Sequence, residues 1–514
     1  MTTRRANLWA ALVGVIAALA TLATAELVAL MVAPSSSPLL AVGSFVIDLV
    51  PPWVKDAAIA LFGTADKLVL LISLGVLVAA LAVGVGILEF RRPPWGVVGL
   101  AAVGLVAAIA AGTRAGATIL WTLPAAIGVV AGAIVLRIAT DKLRGWLYAI
   151  DRDAGRQTLS RRGFLIALGG TAAGALVVGL GARVLGAGVT AVEAVREALT
   201  LPKPATPAPP IPAGASLDVP GISPLISAND TFYRIDTALQ VPVIEADKWR
   251  LRVNGLVENE VEMDFAELLA LPLTEHAVTL MCVSNEVGGN LVGNAVWLGY
   301  PIREVLKRAK PQPGADMVLS RSIDGFTASS PLEVLMDPER ESLLAVGMNG
   351  APLPIEHGFP VRMVVPGLYG YVSATKWVVE LKVTRFADDR AYWTDRGWDA
   401  KGPVKTASRI DVPTNGARVG AGTVAIAGVA WAQHRGIEGV QVRVDDGAWK
   451  DARLATAISS DTWVQWVYEW QATSGSHTVQ VRATDALGDT QSGNRVPPAP
   501  NGSEGWHTIT VTVD

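Results

Sequence analysis

Five apolar runs in the first 190 residues constrain the fold of this chain more than any other feature. Each is close to the length that crosses a bilayer, whose hydrocarbon core takes about 20 helical residues. Hydrophobic residues make up 51% of the chain and charged residues only 17%, and these runs hold most of the excess. We therefore predict a multi-span α-helical membrane domain over residues 1–190, rather than the buried helices of a soluble protein. Its spans cover approximately Leu8–Ala33, Leu68–Leu88, Trp95–Gly112, Ala117–Leu136 and Gly163–Ala182.

The basic residues of the connecting loops indicate how these spans are oriented. Arg4 and Arg5 precede the first span, Arg91 and Arg92 follow the second, and seven arginines and lysines lie between residues 137 and 162. The alternate loops carry few basic residues. Because cytoplasmic loops are enriched in Lys and Arg, we predict a multi-pass protein of the cell membrane. Its N-terminus is inside, and the chain after the fifth span is on the extracytoplasmic side.

The fifth run has a distinctive beginning. Residues 160–165 read Ser-Arg-Arg-Gly-Phe-Leu, which is similar to the twin-arginine signal, Ser/Thr-Arg-Arg-x-Phe-Leu. Two arginines that simply end a cytoplasmic loop are the alternative explanation. Twin-arginine transport carries folded domains, often with a cofactor already inserted. The segment therefore favours a folded, cofactor-containing domain beyond it.

The rest of the chain divides into three stretches of different composition. Residues 191–224 are rich in proline and alanine, which predicts an extended, semi-rigid linker. Residues 225–404 mix strand-like runs with short helical ones, an α+β pattern. Residues 405–514 show short alternating strands separated by turn signals such as Asp446-Gly447, which predicts an all-β, immunoglobulin-like sandwich.

A single cysteine, Cys282, is the strongest candidate for chemistry. It follows a short apolar run that reads as a strand, and it precedes a loop rich in glycine and asparagine. As the only cysteine it forms no intramolecular disulfide, so it is either a small buried hydrophobe or a residue whose sulfur is used. A thiolate at such a position is a soft ligand for a soft metal. The net charge of −3, without a basic stretch that carries aromatic residues, predicts no nucleic-acid partner.

Four groups of motifs stand out in residues 225–514. They are Phe232–Asp236 with Trp249–Gly255, Cys282 with Gly289-Asn290 and Trp297–Gly299, Met348–Arg362 with Lys376-Trp377, and Ala427–Trp431 within the predicted sandwich. In combination they resemble the sulfite-oxidase type of molybdopterin oxidoreductase. The resemblance implies a sulfite-oxidase-like α+β domain followed by a dimerisation-type domain, and the membrane domain lies outside the family's common core.

The resemblance also implies a cofactor and a set of site residues. One molybdenum–molybdopterin cofactor per chain is expected, with Cys282 as its metal ligand and Arg234 directed at the substrate, both as catalytic residues. The residues expected to contact the cofactor are Asn229, Tyr233, Arg234, Cys282, His357, Arg362, Thr375 and Lys376.

Two positions depart from the family pattern. Sulfite oxidases usually have Arg-Asn-His where this chain has Arg234-Ile235-Asp236, and Trp398 stands at the position of an active-site tyrosine. A carboxylate directed inward at Asp236 would repel an anion, and an indole donates a hydrogen bond only through its nitrogen. Sulfite and a neutral substrate, such as a sulfoxide or an N-oxide, therefore both stay open.

These features predict a membrane-anchored, extracytoplasmic, molybdenum-dependent oxidoreductase. It would carry out two-electron oxygen-atom transfer on a small molecule and pass electrons to a separate partner or a quinone. We expect no haem, because the chain has five histidines, none in the membrane domain, and no Cys-x-x-Cys-His. The C-terminal domain could form a homodimer. The alternatives are a non-catalytic extracytoplasmic binding module on the same fold and, last, a transporter, whose spans would need paired charges.

Overall fold

The apolar runs of the N-terminal third form long helices. The computed structural model describes residues 3–33, 36–51, 54, 61, 66–114, 117–150, 162–166, 168–171, 174, 188–239 and 241–514. These residues form two units. The first comprises Met1–Ala191 with Ala238–Val241, and the second Val192–Thr237 with Pro242–Asp514. The helices of the first unit are α1 (Thr3–Val32), α2 (Pro38–Leu49), α3 (Asp66–Arg91), α4 (Trp95–Gly112) and α5 (Leu123–Ile150).

Four helical segments are long and apolar enough to cross a membrane. They are Arg4–Val32, Leu68–Arg91, Trp95–Gly112 and Ile119–Leu147. The fifth predicted span lies largely outside the described residues, and so do Ser160 and Arg161 of the twin-arginine-like segment. Four of the five predicted spans therefore have a helical counterpart in the part of the chain that the structure describes.

Small residues allow these helices to approach closely. Gly14 of α1 faces Gly86 of α3, and a Cβ on either glycine would collide with the backbone of the other helix. Gly132 of α5 lies against α1 as well, where a Cβ would collide with the side chain of Thr21. Small residues at helix contacts are typical of membrane bundles, where close van der Waals packing replaces the hydrophobic effect.

The second unit begins with an α+β domain built on two sheets. The first sheet has the strand order β2-β1-β10-β5-β6, in which only β1 and β10 are parallel; the second has the order β3-β4-β7-β8, with β9 paired to β7. The strands are β1 (Arg250–Gly255), β2 (Val261–Asp264), β3 (Thr274–Met281), β4 (Val292–Pro301), β5 (Met317–Ser322), β6 (Thr327–Pro331), β7 (Leu343–Met348), β8 (Ala351–Pro352), β9 (Arg362–Val364) and β10 (Val378–Thr384).

Short helices connect these strands, and their ends follow local sequence signals. Helix α6 (Gly188–Ala198) precedes the first strand, and the connecting helices are α7 (Phe265–Leu269), α8 (Ile302–Ala309), α9 (Leu332–Met336) and α10 (Gly370–Ser373). Asp264 and Glu267 form a reciprocal capping box at the start of α7, which satisfies two free backbone N–H groups. In α8 the apolar face is buried through Ile302 and Val305, so the helix packs on the domain core.

The C-terminal domain is an all-β sandwich, as predicted. Its sheets have the strand orders β11-β13-β17-β16 and β12-β19-β18-β14-β15. Trp466 of one sheet and Val479 of the other belong to the apolar core between them. The strands are β11 (Ala407–Val412), β12 (Arg418–Val419), β13 (Gly422–Trp431), β14 (Ile437–Val444), β15 (Lys450–Asp451), β16 (Arg453–Leu454), β17 (Val464–Ala472), β18 (Gly475–Asp485) and β19 (His507–Val513).

The proline-rich stretch predicted to be a linker is bonded to both domains of the second unit. The N–H of Glu275 donates to the carbonyl of Thr206 at 2.8 Å, beside β3. Further on, the N–H of Ser223 donates to the Asp411 carboxylate of β11 at 2.9 Å. The stretch therefore runs along the α+β domain and the sandwich as an extended strap.

Candidate functional site

An open cavity in the α+β domain brings most of the predicted site residues together. Its lining comes from segments that are far apart in sequence: 232–237, 282–284, 322–326, 357–377 and 393–398. Cys282, at the end of β3, lies on one side. Basic residues from β9 and from the segment before β10 (Arg362 and Lys376, here called the basic side) and a group of aromatic residues (here called the aromatic side) also line it.

Cys282 supplies a buried thiol to this cavity. Its residue is only 8% exposed, and its backbone N–H donates to the carbonyl of Leu291 at 2.9 Å, which closes the loop that follows β3. Burial raises the pKa of the thiol, and contacts with Ser284 and the positive charge of Lys376 offset only part of that rise. The thiol is therefore a poor free nucleophile, whereas a coordinated metal would deprotonate it outright.

Arg362 is a buried cation without an acidic partner. It is 5% exposed, and no ion pair to a carboxylate is found for it among the described residues. Its Nη1 donates to the carbonyl of His357 at 3.1 Å, and its guanidinium lies 5.0 Å from the centroid of the Trp297 ring. Burial lowers the pKa of Arg362 to about 10. Because an uncompensated buried charge is costly, this arrangement suits a bound anionic group, such as the phosphate of a pterin cofactor.

Lys376 and Arg234 share one carboxylate at the cavity. The Nζ of Lys376 and the Nε of Arg234 each lie 2.9 Å from Oδ2 of Asp236. Asp236 and Lys376 are buried, whereas the side chain of Arg234 is 40% exposed. Burial lowers the pKa of Lys376 to about 8, against the opposing effect of Asp236. The departure at Asp236 therefore does not leave an unpaired negative charge, because two cations neutralise it.

His357 and Asn229 form a connected pair beside Arg362. The Nε2 of His357 is 3.0 Å from the carbonyl of Asn229, and the Asn229 side chain accepts a 2.7 Å hydrogen bond from Asn349 Nδ2. Burial and the charge of Arg362 lower the pKa of His357 to about 4, so the imidazole is neutral near pH 7. His357 lines the cavity, whereas Asn229 does not line it and contacts His357 through its backbone carbonyl.

Tyr233 and Thr375 differ in what they can contact. Tyr233 lines the cavity and stacks on Phe232 with ring centroids 5.1 Å apart; burial raises the pKa of its phenol. The hydroxyl of Thr375 instead lies 2.7 Å from the Ser320 hydroxyl in the protein core. Thr375 is fully buried and is absent from the cavity lining. Of the predicted cofactor-contacting residues, Thr375, Asn229 and Arg234 are therefore adjacent to the cavity rather than in its wall.

Aromatic residues make up the aromatic side of the cavity lining. Trp398 lies 5.9 Å from Tyr371 and 6.0 Å from Trp393 between ring centroids, and Phe326 and Trp377 complete the lining. Sequence reasoning singled out Trp398 as a departure and Trp377 only as part of a motif. It missed Trp393, Tyr371 and Phe326. The density of aromatic residues in 392–398 was the available signal.

These residues fit an anionic, metal-containing cofactor. Within the described ranges, no cluster of three or more His, Cys, Asp or Glu side chains could hold a metal ion by itself. A metal at Cys282 would thus take its other ligands from a non-protein group. The buried cations Arg362 and Lys376 line the same cavity and would bind negatively charged atoms of that group.

Comparison with known proteins finds relatives of both domains of the second unit. Residues 238–393 match the family model of the oxidoreductase molybdopterin binding domain, and residues 407–481 match that of a bacterial Ig domain. The mitochondrial sulfite oxidases of Mus musculus and Homo sapiens are each 32% identical over 271 residues, which is 45% of this chain and 49% of the relative. An inducible nitrate reductase of Glycine max is 32% identical over 181 residues, 30% of this chain and 20% of the relative.

The chain thus spans about half the length of the curated sulfite oxidases that it matches. Among solved structures, the sulfane dehydrogenase SoxCD from Paracoccus pantotrophus aligns with a TM-score of 0.50 and 24% identity, covering 57% of this chain and 82% of that one. This likeness concerns the fold. Together the comparisons confirm the predicted sulfite-oxidase-like molybdopterin domain and the immunoglobulin-like domain.

Proposed function

We propose that this chain, with its molybdopterin-binding domain at residues 238–393, is a membrane-anchored, extracytoplasmic oxidoreductase that transfers an oxygen atom to or from a small substrate. The observation that carries the proposal is a buried thiol and two buried cations that line one cavity; of these cations, Lys376 is paired with Asp236, and Arg362 has no carboxylate partner among the described residues. When bound, a molybdenum cofactor supplies the two-electron redox chemistry that oxygen-atom transfer needs.

Each wall of the cavity has its own part in this proposal. Cys282 would supply the thiolate ligand. Arg362, Lys376 and neutral His357 would hold the pterin and its phosphate through charge and hydrogen bonds. Arg234 lies next to the cavity, bonded to Asp236 of its lining and 40% exposed, and its planar guanidinium would suit an oxygen atom of the substrate.

Two substrate classes are supported by different sides of the site. The excess of positive charge around Asp236 favours an oxyanion such as sulfite. The indole of Trp398, where relatives have a phenol, and the neighbouring Trp393 favour an organic group on the substrate, as in a sulfoxide or an N-oxide. The ratio of kcat/KM for sulfite and for methyl phenyl sulfoxide decides between them.

The first experiment is to measure molybdenum and pterin per chain, using full-length protein purified in detergent from a host that makes the cofactor. We expect about one molybdenum per chain in the natural protein, by analogy with the single thiolate site, and loss or loose binding in Cys282→Ser. The same protein from a host unable to make the cofactor is the control. No molybdenum in the natural chain would refute the enzyme and leave the alternative, a binding module on the same fold.

The membrane topology is a further part of the proposal. Four apolar helices support an anchor, and the twin-arginine-like Arg161 and Arg162 support export of a folded domain. Changing both to lysine should leave the domain in the cytoplasm, protected from protease added outside intact cells. Continued digestion of that variant would refute the export signal. Oxygen-atom transfer also needs a second redox partner, for which we propose a separate electron carrier or a quinone, and the sandwich is the proposed dimer contact.

A further inference from the structure

The loop after β3 that carries Cys282 is closed by its own hydrogen bonds. The backbone N–H of Leu291 donates to the side chain of Asn285 at 2.7 Å, and the N–H of Asn285 donates to the carbonyl of Cys282 at 3.1 Å. Asn285 is almost fully buried. These bonds define the shape of the loop, but they do not attach it to anything outside itself.

Side chains of the C-terminal sandwich provide that attachment. Arg409 of β11 donates through Nη1 to the carbonyl of Gly289 at 2.8 Å, and Ser503 donates through Oγ to the carbonyl of Asn285 at 2.7 Å. Trp431 of β13 donates through Nε1 to the sulfur of Met281, the residue before Cys282, at 3.0 Å. The loop is therefore bonded from outside at its start, at its middle and near its end.

Arg409 is itself held in one orientation. Its Nε lies 2.7 Å from the Asp411 carboxylate, and its Nη2 donates to the hydroxyl of Ser223 at 2.7 Å. Both Arg409 and Asp411 are largely buried. All three arms of the guanidinium are thus engaged, one with the sandwich, one with the strap and one with the loop. A planar, fixed fork of this kind loses little entropy per hydrogen bond.

A fourth contact fixes the backbone of the loop by shape. Gly288 has a φ of +81°, which is costly for other residues, and a Cβ at this glycine would collide with the ring of His507 from β19. The Nδ1 of His507 accepts a 3.0 Å hydrogen bond from the N–H of Ile410. Its ring is therefore fixed against the loop.

We propose that Arg409, Trp431 and Ser503 are positioning residues, through which the sandwich holds the Cys282 loop so that the thiol is set at the cavity wall. That Cys282 binds molybdenum rests on the proposed function, whereas the positioning itself rests only on these contacts. The sandwich thereby has a second role in addition to any dimer contact: it determines how accessible and how mobile the thiol is.

The single cysteine provides a direct test. Full-length protein is made in a host without the cofactor, purified in detergent and treated with iodoacetamide, and its mass is followed with time. Adducts that are absent from Cys282→Ser treated in parallel report on Cys282. Because hydrogen bonds to a charged donor are worth more than neutral ones, we expect alkylation to be about tenfold faster in Arg409→Lys and about fivefold faster in Ser503→Ala.

Two control variants separate positioning from general loss of stability. Arg443→Lys changes an arginine of β14 that contacts Gln480 and not the loop. Val479→Ala weakens the sandwich core without touching the loop. Its alkylation rate is compared with that of Arg409→Lys under conditions in which the two variants are equally stable to heat. Both should alkylate at the natural rate.

Equal rates in the natural protein, Arg409→Lys and Ser503→Ala would overturn the proposal, and so would equal acceleration in Val479→Ala. Should Arg409→Lys fail to fold, Ser503→Ala decides alone, since it removes only a hydroxyl. Faster alkylation in a protein that never takes up molybdenum would uphold the positioning role and refute the proposed enzyme.

Discussion

The basic and the aromatic sides of the cavity are built in different ways. On the basic side, Arg362 and Lys376 are buried and bonded to backbone carbonyls of His357 and Glu356. On the aromatic side, Trp393 and Trp398 are only half-buried and are held by contacts between rings. A buried cation tied to the backbone is fixed before any ligand arrives, whereas a half-exposed ring can adjust to what enters.

This difference suggests that the two sides bind different molecules. The rigid cationic side suits a permanent anionic cofactor, since pre-organised charge gives affinity without a cost of rearrangement. The adaptable aromatic side suits a substrate that comes and goes. Four variants test the division, beginning with the one that should change most.

Arg362→Met should separate cofactor binding from stability. We expect the molybdenum content to fall more than tenfold, because charge-assisted hydrogen bonds to the cofactor are lost. The cofactor-free protein should be as stable as the natural one or more so, since a buried charge without an acidic partner is removed. Metal analysis and thermal unfolding measure the two effects.

Arg321→Met is the matched control, because Arg321 is paired with Glu380 at 2.8 Å on the outside of the same domain. Its molybdenum content should be unchanged. Full molybdenum in Arg362→Met would show that the basic side does not hold the cofactor.

Trp398→Ala should change substrate preference and leave the cofactor in place. We expect kcat/KM for methyl phenyl sulfoxide to fall about tenfold and that for sulfite to change less, since one apolar pocket contact discriminates by about that factor. Trp398→Tyr should shift the ratio toward sulfite. Trp449→Ala, in the sandwich, is the control. Lost molybdenum in Trp398→Ala would assign the aromatic side to the cofactor as well.

Asp236→Asn should alter the pH dependence of the basic side. The pKa of Lys376 is lowered by burial from its ordinary 10.5 to about 8, and Asp236 limits that fall. Between these two values the unfolded chain binds more protons than the folded one, so the stability of the cofactor-free protein rises with pH. Without the carboxylate, the pKa of Lys376 should fall further and the rise should begin at lower pH.

Thermal unfolding of the cofactor-free protein between pH 6 and 10.5 measures how stability changes across the range in which Lys376 titrates. Lys376→Met should abolish the part of the slope that belongs to this lysine. An unchanged curve in Asp236→Asn would show that Asp236 does not support the charge of Lys376.

Thr375→Val should have the smallest effect. The Thr375 hydroxyl contacts Ser320 in the core and not the cavity, so molybdenum content should stay within about twofold while stability falls by about 1 kcal/mol. Inductively coupled plasma mass spectrometry and a melting curve suffice. A large loss of molybdenum would place the hydroxyl at the cofactor after all.

Much of the site was predictable because its residues belong to contiguous motifs. Cys282 follows a buried strand, Arg362 begins β9 and Lys376 lies just before β10, and the resemblance of their motifs to the sulfite-oxidase family made them candidates. The fold class followed from span length and strand alternation. The aromatic side was not predictable, because Tyr371 and Trp393 meet only through tertiary packing. The orientation of Thr375 depends on a hydroxyl partner 55 positions away, which no local pattern shows.

The hydrogen bonds that attach the Cys282 loop to the sandwich also determine when, during synthesis of the chain, the loop can be completed. They join residues 120 positions apart in the case of Gly289 and Arg409, and 218 apart in the case of Asn285 and Ser503. Domains fold in order as they leave the ribosome. The α+β domain is thus synthesised well before the residues that complete its thiol loop. A chain interrupted before Ser503 lacks the hydrogen bond to Asn285, so under the proposed positioning its Cys282 loop is incomplete until the C-terminal domain has been made.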